Sequence, residues 1–203
     1  MAGWSNHTGL AIGLPIDNID TDQLIPARFM SASRAEGYGD YLLHDMRRNQ
    51  DGSLDESFPL NTNVKTSVVI AGRNFGSGSS REAAVYALAD AGVRAVIAPS
   101  FGDIFSANSV NNGLLPATVS EKIYEQIIHI IGANAVELTI NLETATVSLE
   151  GVEFAFFIDP SWQMKLIKGW DDIDLTLEHA AEITGFRQNR IQTAEWAWPS
   201  LVD

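Results

Sequence analysis

A glycine- and serine-rich run, Gly72-Arg73-Asn74-Phe75-Gly76-Ser77-Gly78-Ser79-Ser80-Arg81-Glu82, separates an apolar segment, Ser67-Val68-Val69-Ile70-Ala71, from an alanine-rich one, Ala83 to Ala91. The first segment predicts a buried strand and the second a helix, so the run marks a strand-to-helix turn. A second apolar strand, Arg94-Ala95-Val96-Ile97-Ala98, and a helix over 103–112 that stops at Gly113 follow it. This alternation constrains the fold more than any other feature. Strands separated by helices pair in parallel through crossovers, which predicts βαβ units and an α/β class.

The flanks add to this unit. Residues 9–17 predict a short strand and a turn, followed by a polar loop, Asn18 to Gln23, closed by Leu24-Ile25-Pro26. Residues 31–63 predict a long connection, with a helix from Tyr41 to Arg47, of the kind that often serves as a mobile lid. Ile123, Ile127 and Ile130 fall on one face of a predicted helix over 121–130. Segments 136–141, 144–149 and 152–158 predict antiparallel strands around the break at Gly151. Helices are predicted over 162–168 and 175–184, then a tail at 185–203 with Trp196 and Trp198, expected to pack on the core or a neighbour. The whole, 1–203, reads as a single domain.

Twenty-six acidic residues against 13 basic ones give a net charge of −13. Neutralising phosphates needs clustered Lys and Arg, so this balance argues against a nucleic-acid partner. No stretch approaches the ~20 apolar residues that span a bilayer. The start, Met1-Ala2-Gly3-Trp4-Ser5-Asn6-His7, has no charged segment leading into an apolar one. A cytoplasmic location without a membrane partner is the expectation. The absence of cysteine removes disulfides, thiolate zinc sites and any thiolate-held iron–sulfur cluster on this chain. His7, His44, His129 and His179 lack the paired spacing of a metal site, so no metal ligand is expected.

The chemistry concentrates in Ser79-Ser80-Arg81-Glu82, which has two compatible readings. Ser79 and Glu82 have the spacing of a capping box. Alternatively, serine hydroxyls, turn N–H groups and Arg81 form a site for a carboxylate or phosphate, with Gly76 and Gly78 letting the ligand approach the backbone. The run lacks the third glycine of a dinucleotide fingerprint, a P-loop lysine and the Gly-x-Ser-x-Gly of a nucleophile elbow. Asp20-Thr21-Asp22 reads either as an Asx-type turn or as a carboxylate placed beside a catalytic group.

Several blocks resemble the small subunit of 3-isopropylmalate dehydratase, in order and through about residues 9–180. They are Asn18-Ile19-Asp20-Thr21-Asp22-Gln23-Leu24-Ile25-Pro26, Asn74 to Glu82, Val96 to Phe105 with Asn111-Asn112-Gly113-Leu114-Leu115-Pro116, Ile158-Asp159-Pro160, and Gly169 to Leu177. The resemblance implies the swivelling β/β/α domain of the aconitase superfamily, with a mainly parallel sheet, added antiparallel strands and flanking helices. It implies a heterodimer whose large subunit carries a [4Fe–4S] cluster. It implies a hydro-lyase that moves a hydroxyl between adjacent carbons of a malate-type dicarboxylate, in leucine biosynthesis. On this resemblance Ser79 is the base that removes the α-proton, Asp22 orients groups or relays protons, and Arg81 clamps a substrate carboxylate. Ser80 and Gly78 help to position substrate, while Arg28, Met30 and Ser31 line the pocket for its variable side group. The chain departs from the usual pattern at Ser77, where cysteine is common, at Ala83, where histidine is, and at Ser31, where many relatives carry lysine. These changes keep open a paralogous hydratase for citramalate, a dimethylmalate or homocitrate. A non-catalytic binding subunit of the same fold is the third reading.

Overall fold

Strand β1 (Asn6–Leu14) runs through the middle of one seven-stranded sheet completed by β2 (Thr66–Ala71), β3 (Ala95–Ala98), β4 (Leu115–Thr118), β5 (Val136–Asn141), β6 (Thr146–Leu149) and β7 (Val152–Ala155). The computed structural model describes residues 2–63, 65–78 and 81–198. The strand order is β4-β3-β2-β1-β5-β6-β7. On one side of β1 all pairings are parallel, β1 with β2, β2 with β3 and β3 with β4; on the other all are antiparallel. The expected α/β fold with a mixed sheet is therefore present, its parallel part built from the strand–helix alternation and its antiparallel part from the segments around Gly151.

The helices are α1 (Thr21–Leu24), α2 (Pro59–Thr62), α3 (Ala83–Asp90), α4 (Asp103–Asn111), α5 (Glu121–Ile131), α6 (Pro160–Lys168), α7 (Asp172–Leu177) and α8 (Ala180–Thr193). Successive strand residues point to opposite faces, and the burial follows this rule. Ile12, Leu14, Val69, Ala71, Val96 and Ala98 enter one hydrophobic cluster, with α1, α3 and the 38–43 segment. Ala11, Val68, Ile70, Ala95, Ile97, Leu115 and Ala117 enter a second, with α5, α6 and strands β5 to β7. Both faces of the parallel half are thus covered, as parallel sheets require.

Three local expectations are corrected. No α-helix forms over 41–47: a 3₁₀ turn at Gly39–Tyr41 leads into successive turns. Leu43 has φ 50°, which a right-handed helix excludes, and its N–H donates to the Leu24 carbonyl at 2.9 Å. The predicted helix over 175–184 is two helices, α7 and α8, divided at Glu178 and His179. Strand β4 was not anticipated, because Leu-Leu-Pro reads as a break. It lies at the sheet edge, where proline's missing N–H is tolerated. Helix α8 has no buried residue. Trp196 is 85% exposed, and the Arg187 guanidinium sits over the Trp198 ring at 5.6 Å. Among the described residues no helix is long and apolar enough to cross a membrane.

Candidate functional site

Strands β1, β2 and β3 are parallel, so the loops that follow them leave from the same, carboxyl-terminal end of the strands. They are laced together by backbone and short polar side chains. The Asp17 carboxylate accepts the Arg73 N–H at 2.7 Å. Asn18 N–H donates to the Arg73 carbonyl at 2.8 Å, Gly76 N–H to the Ile19 carbonyl at 2.7 Å, and Thr21 N–H to the Ser77 carbonyl at 2.9 Å. Asn74 Nδ2 donates to Asn18 Oδ1 at 2.9 Å. On the other flank Asn74 N–H donates to Ser100 Oγ at 2.8 Å. There too Phe75 N–H donates to the Ser100 carbonyl at 3.1 Å, and Gly102 N–H to the Phe75 carbonyl at 2.9 Å. The glycine-rich turn therefore lies between the Asn-Ile-Asp-Thr-Asp loop and the Pro-Ser-Phe-Gly-Asp loop, hydrogen-bonded to both.

Two glycines here answer to packing. Gly76 has φ 71°, and a Cβ on it would collide with the Phe105 ring. A Cβ on Gly102 would lie 2.7 Å from the Gly76 carbonyl oxygen. The close approach of the two loops thus depends on both. A cavity of about 180 Å³ remains between Gly76-Ser77-Gly78 and the first turn of α4, Gly102 to Phe105. Helix α4 starts without a side-chain cap, so its first N–H groups are not spent on one, while Asp103 brings a carboxylate into the same turn.

Asp20 and Asp22 have different tasks. Asp20 caps α1, its Oδ1 accepting the Gln23 N–H at 2.7 Å while its own N–H donates to Gln23 Oε1 at 2.9 Å. This is a capping box, so the local-turn reading holds for Asp20. Asp22 is instead ion-paired with Arg81, whose Nη1 is buried against it. The Arg81 side chain is 26% exposed. Its guanidinium has further N–H donors beyond the one on Asp22. Gly78, at φ 98°, stands beside α1: a Cβ there would be 3.6 Å from Thr21 Oγ1. The structure thus brings Asp22 and Arg81 together and sets Gly78 against Asp20 and Thr21 at the start of the same helix. Ser79 and Ser80 lie outside the described residues.

The other sequence candidates occupy the loop that follows α1. Arg28 Nη1 donates to Asp45 Oδ2 at 2.9 Å, and its guanidinium covers the Phe29 ring at 4.6 Å. The Arg28 and His44 hydrogen bonds hold the Asp45 carboxyl down at about 2. Ser31 Oγ donates to the Arg28 carbonyl at 3.3 Å, and Met30 is 40% exposed. Phe29 stacks on Tyr41 with ring centroids 4.4 Å apart. Arg28 and Ser31 thus make these bonds within the loop.

The capping box proposed for Ser79 and Glu82 is corrected in one respect. Glu82 stands at the N-cap of α3, not at its third position, and Glu82 Oε1 accepts Asn112 Nδ2 at 3.0 Å. Asn112 and Thr21 were missed as site-forming residues. The spacing of Asn111-Asn112-Gly113 signals a helix end, and nothing in it points to a residue 30 positions upstream. Thr21 lay in plain view between two aspartates, but its burial is a tertiary fact.

The family model of the aconitase C-terminal domain matches residues 1–122. The 3-isopropylmalate dehydratase small subunit of Shewanella amazonensis is 43% identical over 192 residues, covering 92% of this chain and 96% of that protein. The protein of the same name from Roseobacter denitrificans is 41% identical over 201 residues, covering 97% of this chain and all of that protein. The crystal structure of a 3-isopropylmalate dehydratase from Methanocaldococcus jannaschii superimposes with a TM-score of 0.64 at 25% identity, covering 90% of this chain and 99% of that one.

Proposed function

Because the chain belongs to the 3-isopropylmalate dehydratase small-subunit family, built on the aconitase C-terminal domain, we propose that it works as the small subunit of the hydro-lyase that interconverts 2-isopropylmalate and 3-isopropylmalate by dehydration and rehydration in leucine biosynthesis. Activity requires a separate large subunit, and the place of work is the cytoplasm. The observation that carries this reading is the pairing of Asp22 with Arg81 at the carboxyl ends of the parallel strands, where three family blocks are hydrogen-bonded into one unit.

The chain has no cysteine, so a thiolate-held [4Fe–4S] cluster finds no ligand here and belongs to the large subunit. When present, that cluster supplies Lewis-acid activation of the substrate hydroxyl and an adjacent carboxylate. The remaining tasks fall to this chain. Arg81 holds a substrate carboxylate with the donors that Asp22 leaves free, and Asp22 keeps the guanidinium aimed. Ser79 takes the α-proton. A serine hydroxyl is far too weak an acid to ionise near neutrality, so its alkoxide needs the turn N–H groups and Arg81 around it. Ser80 and Gly78 position the substrate. Arg28, Met30 and Ser31, in the loop after α1, face its branched side group, and the 31–63 connection moves to admit it.

The test is anaerobic co-expression with the candidate large subunit, followed by ultraviolet absorbance on isopropylmalate, citramalate and dimethylmalate. Turnover of isopropylmalate is expected, with Ser79→Ala lowering kcat by roughly 10³-fold or more in an intact complex. Turnover of another substituted malate alone replaces this reading with the paralogous hydratase marked by Ser31, Ser77 and Ala83. An intact, cluster-loaded complex that turns over none of them leaves a non-catalytic subunit.

A further inference from the structure

Arg81 is bracketed. On one side stands its ion pair with Asp22. On the other, the next residue in the chain, Glu82, starts helix α3 without capping it, at φ −61° and ψ −26°. The Glu82 carboxylate reaches sideways instead, and its Oε1 accepts Asn112 Nδ2 at 3.0 Å. Asn112 is the C-cap of α4, and the same Nδ2 donates to the Asn108 carbonyl at 2.9 Å. The start of α3 is therefore tied to the end of α4.

That end of α4 is anchored by side chains from other parts of the chain. Asn111 Oδ1 accepts the ammonium of Lys165, a residue only 3% exposed, at 2.5 Å. Lys165 Nζ also donates to Asp172 Oδ1 at 2.6 Å, which binds α6 and α7 to the same point. Trp4 Nε1 donates to the Gly113 carbonyl at 3.3 Å. Two consecutive asparagines thus split the work: Asn111 fixes α4 to the body, and Asn112 passes that fixation to Glu82.

We propose that Glu82 and Asn112 are positioning residues for Arg81, setting the direction from which its guanidinium meets a substrate carboxylate. Glu82 is exposed and Asn112 half-buried, and a hydrogen bond in such a place adds little to stability. Its leverage is geometric, because a bidentate clamp loses much of its effect when its donors move by a fraction of an ångström. The proposal rests on the reading of Arg81 as the carboxylate clamp.

The experiment uses the assembled two-subunit enzyme and a swap. Asn112→Asp sets two carboxylates against each other, while Glu82→Gln combined with Asn112→Asp restores an amide–carboxylate pair with its partners exchanged; both variants lose the bond to the Asn108 carbonyl, so the difference between them isolates the tie to Glu82. Asn112→Asp is expected to lower kcat/KM for the dicarboxylate by about tenfold, mainly through KM, and the double variant to recover the part of that loss carried by the tie to Glu82. Melting temperatures of the two variants should lie within about 2 °C of each other, since both lose the bond to the Asn108 carbonyl. In the isolated chain, the Arg81 Nε–H resonance should shift in Asn112→Asp and return in the double variant. Unchanged kinetics and an unmoved Arg81 resonance overturn the proposal, as does a loss that follows melting temperature and is not rescued. If the parent complex turns over no dicarboxylate while the Arg81 resonance behaves as expected, it is the reading of the reaction that fails, not the positioning.

Discussion

At the scale of single residues, Thr21 stands out as the least satisfied group near the candidate site. It is 1% exposed, and its Oγ1 has no hydrogen-bond partner among the described residues. A buried hydroxyl left unpaired costs about 1–3 kcal/mol. Valine has nearly the same shape, so Thr21→Val should stabilise the isolated chain by about 1 kcal/mol, raising its melting temperature by roughly 2–4 °C. A fall in melting temperature, measured by calorimetry, would show that the hydroxyl is already bonded in the folded chain. Much at this scale was legible: Asp22 and Arg81 were singled out from sequence and lie on one another. What was not legible is why a residue is of its type. Gly76 suggested close approach of a ligand, yet the Phe105 ring already requires it to lack a Cβ. The resemblance singles out Asp22, while the residues by themselves leave Asp20-Thr21-Asp22 as either a turn or a catalytic carboxylate; the cap on Asp20 and the arginine on Asp22 divide those two readings between them.

At the scale of elements, strands were easier to read than helices, for a physical reason. Val68 to Ala71 and Ala95 to Ala98 are buried on both faces, so burial writes itself into an unbroken apolar run. The segment after Gly39 carries helix-forming residues, but its shape is set by the bond from Leu43 to Leu24, a contact that no local pattern encodes. Helix α8 is the opposite case, local propensity with nothing buried beneath it. Ile183, Phe186 and Ile191 are 46%, 71% and 41% exposed. Isolated helices of about this length are marginal in water, and most helical stability in proteins comes from packing. A chain ending before Ala180 should therefore melt within about 2 °C of the full chain, while far-ultraviolet circular dichroism loses helical signal. A drop much beyond that would show that α8 packs on the body and stabilises it.

At the scale of the whole molecule, the two hydrophobic clusters lie on opposite faces of one sheet, and β1 contributes to both. Ala11 belongs to one and Ile12 and Leu14 to the other. The same strand joins the parallel half, whose strands carry the candidate site at their carboxyl ends, to the antiparallel half, which bears none of its described residues. The alternation of strand and helix made the parallel half readable from sequence. The join did not follow from it, because pairing β1 with both β2 and β5 is a choice between distant partners. Strand β1 is hydrogen-bonded to β2 along one edge and to β5 along the other, so neither half can detach without baring a backbone edge of β1, and the halves should not unfold separately. Ile12→Ala in one cluster and Ile97→Ala in the other should each cost about 2–5 kcal/mol. Both should move one and the same transition, seen identically by tryptophan fluorescence, far-ultraviolet circular dichroism and calorimetry. Separate transitions, with Ile12→Ala moving only one of them, would mean that the antiparallel half folds on its own. The site would then depend on the parallel half alone.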